Sequence, residues 1–408
     1  MKKIYYREWG ADGPVYWAFL GTLALVAAVG GLSSLYMEHF GHWVTGMNNQ
    51  VVWGMPHVFA IFLIVAASGA LNVASIGSVF GRAPYKPLAR LSGLLSIALL
   101  VGGLLVLVLD LGRPDRLYVA MTHYNFKSIF AWNIYLYSGF IVIVVVYLWT
   151  MMERRANPYS RHAGLLAFLW RLALTTGTGS IFGFLVSRQA YDSALMAPLF
   201  VIMSFSFGLA IFILVTMFLY HMDDRKMGQE LLSRLKNLLG VFVAAVLYFM
   251  VAYHLTNLYA AKKEALEAFL LLSGGIYTKL FWIGYVFIGS LLPLGILYHP
   301  VLGTSRRWIA GACAMVVLGG LASVYVIVIG GQAFPMQLFP DMTLLDSGFY
   351  DGVQGAAASY TPTMPEFLLG LGGAAVALLI TAVGVRVLRF MPESLEDDSA
   401  GTARKSAG

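Results

Sequence analysis

Apolar runs long enough to cross a hydrocarbon core of about 30 Å as helices recur along almost the whole chain, separated by short polar links. Ten spans are predicted: Val15–Met37, Val58–Val79, Leu91–Leu109, Ile129–Met151, Leu172–Tyr191, Leu195–Tyr220, Leu238–Tyr259, Leu280–Tyr298, Ile309–Ile329 and Phe367–Leu388. Basic residues crowd every second link: Arg82, Lys86 and Arg90; Arg154, Arg155 and Arg161; Arg225, Lys226, Arg234 and Lys236; Arg306 and Arg307. Links enriched in this way face the cytoplasm. Lys2, Lys3 and Arg7 at one end and Arg389, Arg404 and Lys405 at the other carry the same bias, so both termini are expected in the cytoplasm.

The expected class is therefore an all-α, multi-pass protein of a bacterial or archaeal cytoplasmic membrane, a single membrane domain over 1–408. The first helix, 15–37, has no small-residue cleavage pattern after it and is read as retained. Residues 331–366 hold no Lys or Arg but many Gly and Pro, which predicts an ordered outer loop before the last helix, 367–388. The polar tail, 393–408, reads as disordered.

Composition agrees: of 408 residues, 59% are hydrophobic and 12% charged, against about 25% charged in a soluble domain. Cys313 is the one cysteine, so the chain builds neither a disulfide nor its own iron–sulfur cluster. The net charge of +7 sits in topology-setting links and does not point to nucleic acid. Phosphate loops, metal motifs and nucleophile elbows are missing from the sequence.

The polar residues at membrane depth gather toward one side. His57 opens the second span; Asp110, Arg113 and Asp115 close the third; Trp132 and Asn133 lie in the first turns of the fourth. Arg188, Tyr191 and Asp192 close the fifth, His254 and Asn257 end the seventh, and Glu264, Glu267 and Lys279 precede the eighth. The inner halves are mostly Leu, Val, Ala and Gly, with Arg171 near a helix start where it can snorkel. Each residue has a bland alternative: an interfacial histidine, a helix-end pair of Asp110 with Arg113, or an aromatic belt of Trp132, Tyr135 and Tyr191. Their shared side favours one outward-facing polar cavity.

Such a cavity suits quinol oxidation, which releases two electrons and two protons. It needs an apolar slot, donors for the ring oxygens and a base that titrates near neutrality. His57 beside Trp132, Asn133, Arg188 or Tyr191 supplies the first set of contacts. Asp110, Arg113, His254 and Glu267 are the candidates for proton transfer. The competing cofactor is haem, but no span carries a spaced histidine pair, so none is expected here.

Three segments carry a resemblance: Trp53-Gly54-Met55-Pro56-His57, the turn Asp110-Leu111-Gly112-Arg113-Pro114, and Ser128-Ile129-Phe130-Ala131-Trp132-Asn133. Together they resemble the NrfD/polysulfide reductase membrane-anchor family. The segment from Gly183 to Pro198, Tyr253-His254-Leu255-Thr256-Asn257 and Gly274-Gly275-Ile276-Tyr277 are similar to its ten-helix branch, in particular the NrfD-like subunit of the transmembrane Dsr complex of sulfur metabolism. The resemblance implies two four-helix bundles, 54–191 and 195–329, flanked by the first and last helices. It implies a site for menaquinone or ubiquinone at the outer end of the first bundle, with His57 at a ring-contacting position. It also implies a ferredoxin-like, extracytoplasmic iron–sulfur subunit as electron partner, alongside other membrane and cytochrome subunits. Ile181 stands where some members carry a tyrosine, so Tyr191 or Arg188 would take that contact. The alternatives are a cofactor-free proton channel or transporter, which would carry polar residues across the inner halves, and a purely structural anchor.

Overall fold

In the computed structural model, which describes residues 4–10, 13–335 and 359–395, ten helices are long and apolar enough to cross a membrane. They are α1 (Pro14–Phe40), α2 (Met55–Ser78), α3 (Ala83–Leu109), α4 (Ile129–Met152), α5 (Asn157–Gly183), α6 (Met196–Met222), α7 (Gln229–Tyr259), α8 (Ile276–Tyr298), α9 (Arg306–Ala333) and α10 (Met364–Val387). The chain is an integral, multi-pass, all-α membrane protein. The tail beyond residue 395 and most of the outer loop, 336–358, lie outside the described residues.

Helices α2–α5 pack around one another, as do α6–α9, and the two groups meet along α2 and α6. In α2, 89% of the apolar window is buried within the protein, against 22% in α1 and α4. Thus α2 is central, while α4 turns Val142, Val145 and Trp149 outward, where lipid replaces water as the apolar solvent. The α2–α6 contact depends on two glycines. A Cβ on Gly69 would stand 1.6 Å from the Ser204 carbonyl oxygen, and one on Gly208 would stand 2.2 Å from the Ala70 nitrogen. Small residues at such crossings let backbones close up, which matters in a membrane because lipid gives helices no hydrophobic reason to associate. Of the flanking helices, α10 sits on the first bundle against α2 and α3, and α1 packs on α10.

A break at Leu71 divides α2 into Met55–Ala70 and Asn72–Ser78. Serines of α3 serve the backbone there: Ser92 Oγ donates to the Ala70 carbonyl at 2.7 Å and accepts from the Ala74 N–H at 3.0 Å, and Ser96 Oγ donates to the Ala67 carbonyl at 2.6 Å. Irregular backbone at membrane depth is tolerated when side chains satisfy it in this way.

Two short segments from opposite ends of the described chain meet. Tyr6–Arg7 pairs antiparallel with Met391–Pro392, and Arg225 ties this short sheet down through the Pro392 and Glu8 carbonyls. This end is called the terminal face below; the opposite end, where α2 starts and α3 stops, is called the site face.

The fifth span departs from expectation. Hydropathy places it at Leu172–Tyr191, yet α5 runs from Asn157 to Gly183, and Arg188 and Tyr191 lie in the following link. Arg161, His162 and Arg171 depress the hydropathy of the first half of α5, which hides a membrane helix in the sequence. Arg171 is correspondingly not a snorkelling residue near a helix start: it is 1% exposed and halfway along α5. The ninth span also runs on past Ile329, so Gly331-Gln332-Ala333 is helix and not loop.

Candidate functional site

At the site face α3 stops at Leu109, and the chain turns through Gly112, whose φ of 66° lies in the left-handed region that glycine adopts without cost. The turn leaves Asp110 buried under the first turn of α2. Its Oδ2 lies 2.8 Å from His57 Nδ1, and its Oδ1 lies 3.8 Å from His42 Nε2. The carboxylate is 0% exposed, the His57 side chain 15% and the His42 side chain 31%, so a buried anion is linked to the surface by two imidazoles. These are ion-pair contacts: among the described residues neither carboxylate oxygen meets the geometry of a hydrogen bond. Burial pushes the Asp110 carboxyl up, but His42 and His57 outweigh it and hold the group below the usual carboxylate range. Asp110 in turn raises the His42 imidazole above its ordinary value, against the opposing effect of burial.

Trp53 lies four residues before His57 and stacks on it, with ring centroids 6.1 Å apart and planes at 22°. It also stacks on Tyr191 at 6.4 Å and meets Phe130 and Phe182 edge-on. The segment is anchored from α9: Gln332 Oε1 accepts from the Val52 and Trp53 N–H groups, each at 3.0 Å, and Gln332 Nε2 donates to the Trp53 carbonyl at 3.0 Å. Just ahead of α10, the Tyr360 hydroxyl accepts from the Met55 N–H and donates to Glu366 Oε1, both at 2.7 Å. Glu366 is fully buried and also takes the Gly46 N–H, together with the N–H and hydroxyl of its own capping residue Thr363. Gln332, Tyr360 and Glu366 were missed from the sequence. The signal for Glu366 was legible as Thr363-Met364-Pro365-Glu366, a capping box that opens α10.

The other expected residues divide. Tyr191 is buried against Trp53, and its hydroxyl donates to the Val328 carbonyl at 2.5 Å. Arg188 is half-buried and donates to the Gln50 and Gln332 carbonyls at 2.7 and 2.9 Å, so it clamps the link after α5 to the Trp53 segment. Burial lowers its affinity for its proton. Asn133 bridges α4 to α5 through the Ile129 and Gly177 carbonyls. Trp132 is 48% exposed and donates to the Phe126 carbonyl, which places it on the outer surface of α4. Arg113 pairs with Asp115 in solvent at 3.1 Å, so the helix-end pair of Asp110 with Arg113 does not form.

The second bundle holds a comparable group. His254 Nδ1 lies 2.6 Å from Glu267 Oε2, and Asn257 Nδ2 donates to Glu267 Oε1 at 2.8 Å. Lys263 Nζ reaches the Asp192 carbonyl at 2.6 Å and Asn257 Oδ1 at 3.3 Å. A cavity of about 20 Å³, enough for one water, is lined by His254, Tyr253, Met250, Phe281 and Ser323. Among the described residues, no three His, Cys, Asp or Glu side chains are grouped to hold a metal ion.

Ten membrane helices with an aromatic-lined, imidazole–carboxylate cluster at one face define an integral membrane protein with a polar group at the end of its first bundle. The chain belongs to the NrfD polysulphide reductase family, whose model matches residues 43–336. It is 29% identical to the Hdr-like menaquinol oxidoreductase integral membrane subunit of Archaeoglobus fulgidus, over 96% of this chain and 97% of that protein. It is 28% identical to a putative dimethyl sulfoxide reductase membrane subunit of Halobacterium salinarum, over 91% and 90%. The integral membrane subunit of the menaquinone reductase of Nitratidesulfovibrio vulgaris is 23% identical over 87% of this chain and 87% of its own length.

Proposed function

We propose that the chain is the quinone-interacting membrane subunit of a respiratory electron-transfer complex, and that His57 and Asp110 form its quinol contact. The observation that carries this reading is the buried Asp110 carboxylate held between two partly exposed imidazoles beside the Trp53 ring. A quinol supplies two electrons to an external acceptor and two protons to nearby bases. Trp53, Phe130 and Phe182 form apolar walls suited to a ring, and Tyr191 closes the wall toward the second bundle. With Nδ1 turned to Asp110, His57 has Nε2 free to accept a hydroxyl proton; Asp110 stabilises the resulting imidazolium, and His42 leads the proton to the surface. Gln332, Arg188 and Glu366 hold the segment that carries Trp53 and His57. The His254–Glu267 pair serves as a second proton-accepting group.

Several finer points belong to the same reading. The basic links lie at the terminal face together with the paired segments Tyr6–Arg7 and Met391–Pro392, and in this reading that face looks into the cytoplasm and the site face outward. An iron–sulfur subunit docked at the site face takes the electrons, in a complex that serves sulfur metabolism. Reporter fusions at Ser160 and Gln229 should register cytoplasm. Photo-crosslinking with an azido-quinone in the intact complex tests the site itself: labelling of peptides that contain Trp53 or His57 is expected, and labelling confined to the second bundle would move the site there.

A further inference from the structure

Among the described residues, one cation in the middle of the first bundle makes no ion pair. Arg171 is 1% exposed and lies halfway along α5, facing α2 and α6. Its guanidinium is sandwiched by the Phe168 and Phe205 rings, each 4.9 Å away, and donates weakly to the Ser68 carbonyl at 3.4 Å. Among the described residues its Nε has no hydrogen-bond partner. Ionisable groups at this depth are costly and mark a function.

Hydroxyls and amides continue on both sides of it. Toward the site face, Thr175 Oγ1 donates to Ser68 Oγ at 2.6 Å, Tyr137 and Thr178 share a hydrogen bond of 3.2 Å, and Asn133 reaches the Gly177 carbonyl. Toward the terminal face, the α2 break presents Asn72, whose buried Nδ2 has no partner among the described residues, and then Ser78 and Tyr147, 2.5 Å apart. Buried polar groups without protein partners are where water enters. The first bundle thus carries a polar track through its inner half, which the sequence suggested was mostly apolar.

We propose that Arg171 is an electrostatic barrier that keeps this track closed to protons, so that the first bundle does not short-circuit the membrane. A proton relay needs a group that gives its proton up; a guanidinium does not, because it stays protonated throughout the accessible pH range. What it offers instead is a fixed positive charge, buried halfway along the helix. At an effective dielectric constant of about 20, a like charge at about 5 Å lowers proton occupancy by roughly 10²-fold. Pores that reject protons and cations use a buried positive charge in the same way. The barrier role does not depend on the quinol site.

The test uses the full chain in liposomes loaded with pyranine, with a potassium diffusion potential driving proton entry and retained calcein reporting general leakage. Wild type and Arg171→Lys, which keeps the charge, should remain as tight to protons as empty liposomes. Arg171→Gln, which keeps the polar track and removes the charge, should admit protons at least tenfold faster while retaining calcein. A proton-conducting wild type overturns the proposal whatever the variants do. A tight Arg171→Gln overturns it as well, and so does an Arg171→Gln that releases calcein together with protons, since lost packing would then be the cause.

Discussion

His57 Nδ1 lies 2.8 Å from Asp110 Oδ2, and the other oxygen of the same carboxylate faces His42 at 3.8 Å. The carboxylate is therefore placed to orient the His57 ring, and the proposed quinol contact rests on this pair. Asp110→Asn keeps the shape and removes the charge, so quinol turnover should fall by about 10²-fold, the usual scale for a disabled general base. Turnover and melting temperature measured together distinguish this from unfolding: the expected result is a large kinetic loss with assembled complex recovered.

The same contacts predict how stability depends on pH. Asp110 titrates below its ordinary value of 3.8 in the folded protein, so its contribution is full above 3.8 and is lost as pH falls further. His42 titrates above its ordinary value of 6.5, so its contribution is full below 6.5 and is lost as pH rises through the raised value. Melting temperature in detergent should decline on the alkaline side of neutrality, and His42→Gln should flatten that limb while leaving the acid limb in place. An unchanged alkaline limb in His42→Gln would detach His42 from the cluster.

Gln332 makes three hydrogen bonds to the Val52–Trp53 backbone from a position 1% exposed. In Gln332→Leu these backbone groups lose their partners, at about 1–3 kcal/mol for each that stays buried. Because the damage falls on the wall beside His57, the KM for quinol should rise about tenfold, with kcat changed less. Steady-state kinetics decide it, and an equal fall in kcat at constant KM would contradict the positioning role.

At the crossing of the two bundles, Gly208→Leu drives side-chain atoms into the Gly69–Ala70 backbone. Overpacking costs about 1–3 kcal/mol where side chains can yield and more where backbone meets backbone. The variant should be poorly recovered or melt well below wild type in detergent. Gly311→Leu is the control, because no atom lies within 4 Å of a Cβ there.

The ten crossings were legible because lipid demands unbroken apolar length, and hydropathy reads that length directly. The fifth start was not, because Arg171 looks like a boundary until its Phe168 and Phe205 neighbours, 4.9 Å from the guanidinium, are seen. His57 and Asp110 stood out singly, but fifty-three positions separate them and nothing in the sequence sets their distance. His42 lies outside every predicted span and carries no sequence mark of its contact with Asp110. Trp53 was overlooked as a wall in favour of Trp132, since both fit an aromatic belt and only packing shows which indole turns inward. Gln332 and Glu366 fell in a stretch read as loop, where a buried polar group has no sequence signature beyond its cap.

His57→Leu tests the central claim most directly. Leucine keeps the apolar volume near Trp53 but can neither accept a proton nor meet Asp110. Quinol-linked electron transfer in intact complexes should fall by about 10² or more while the complex still assembles. Near wild-type turnover with unchanged quinone affinity would contradict the account and leave His57 as an interfacial histidine.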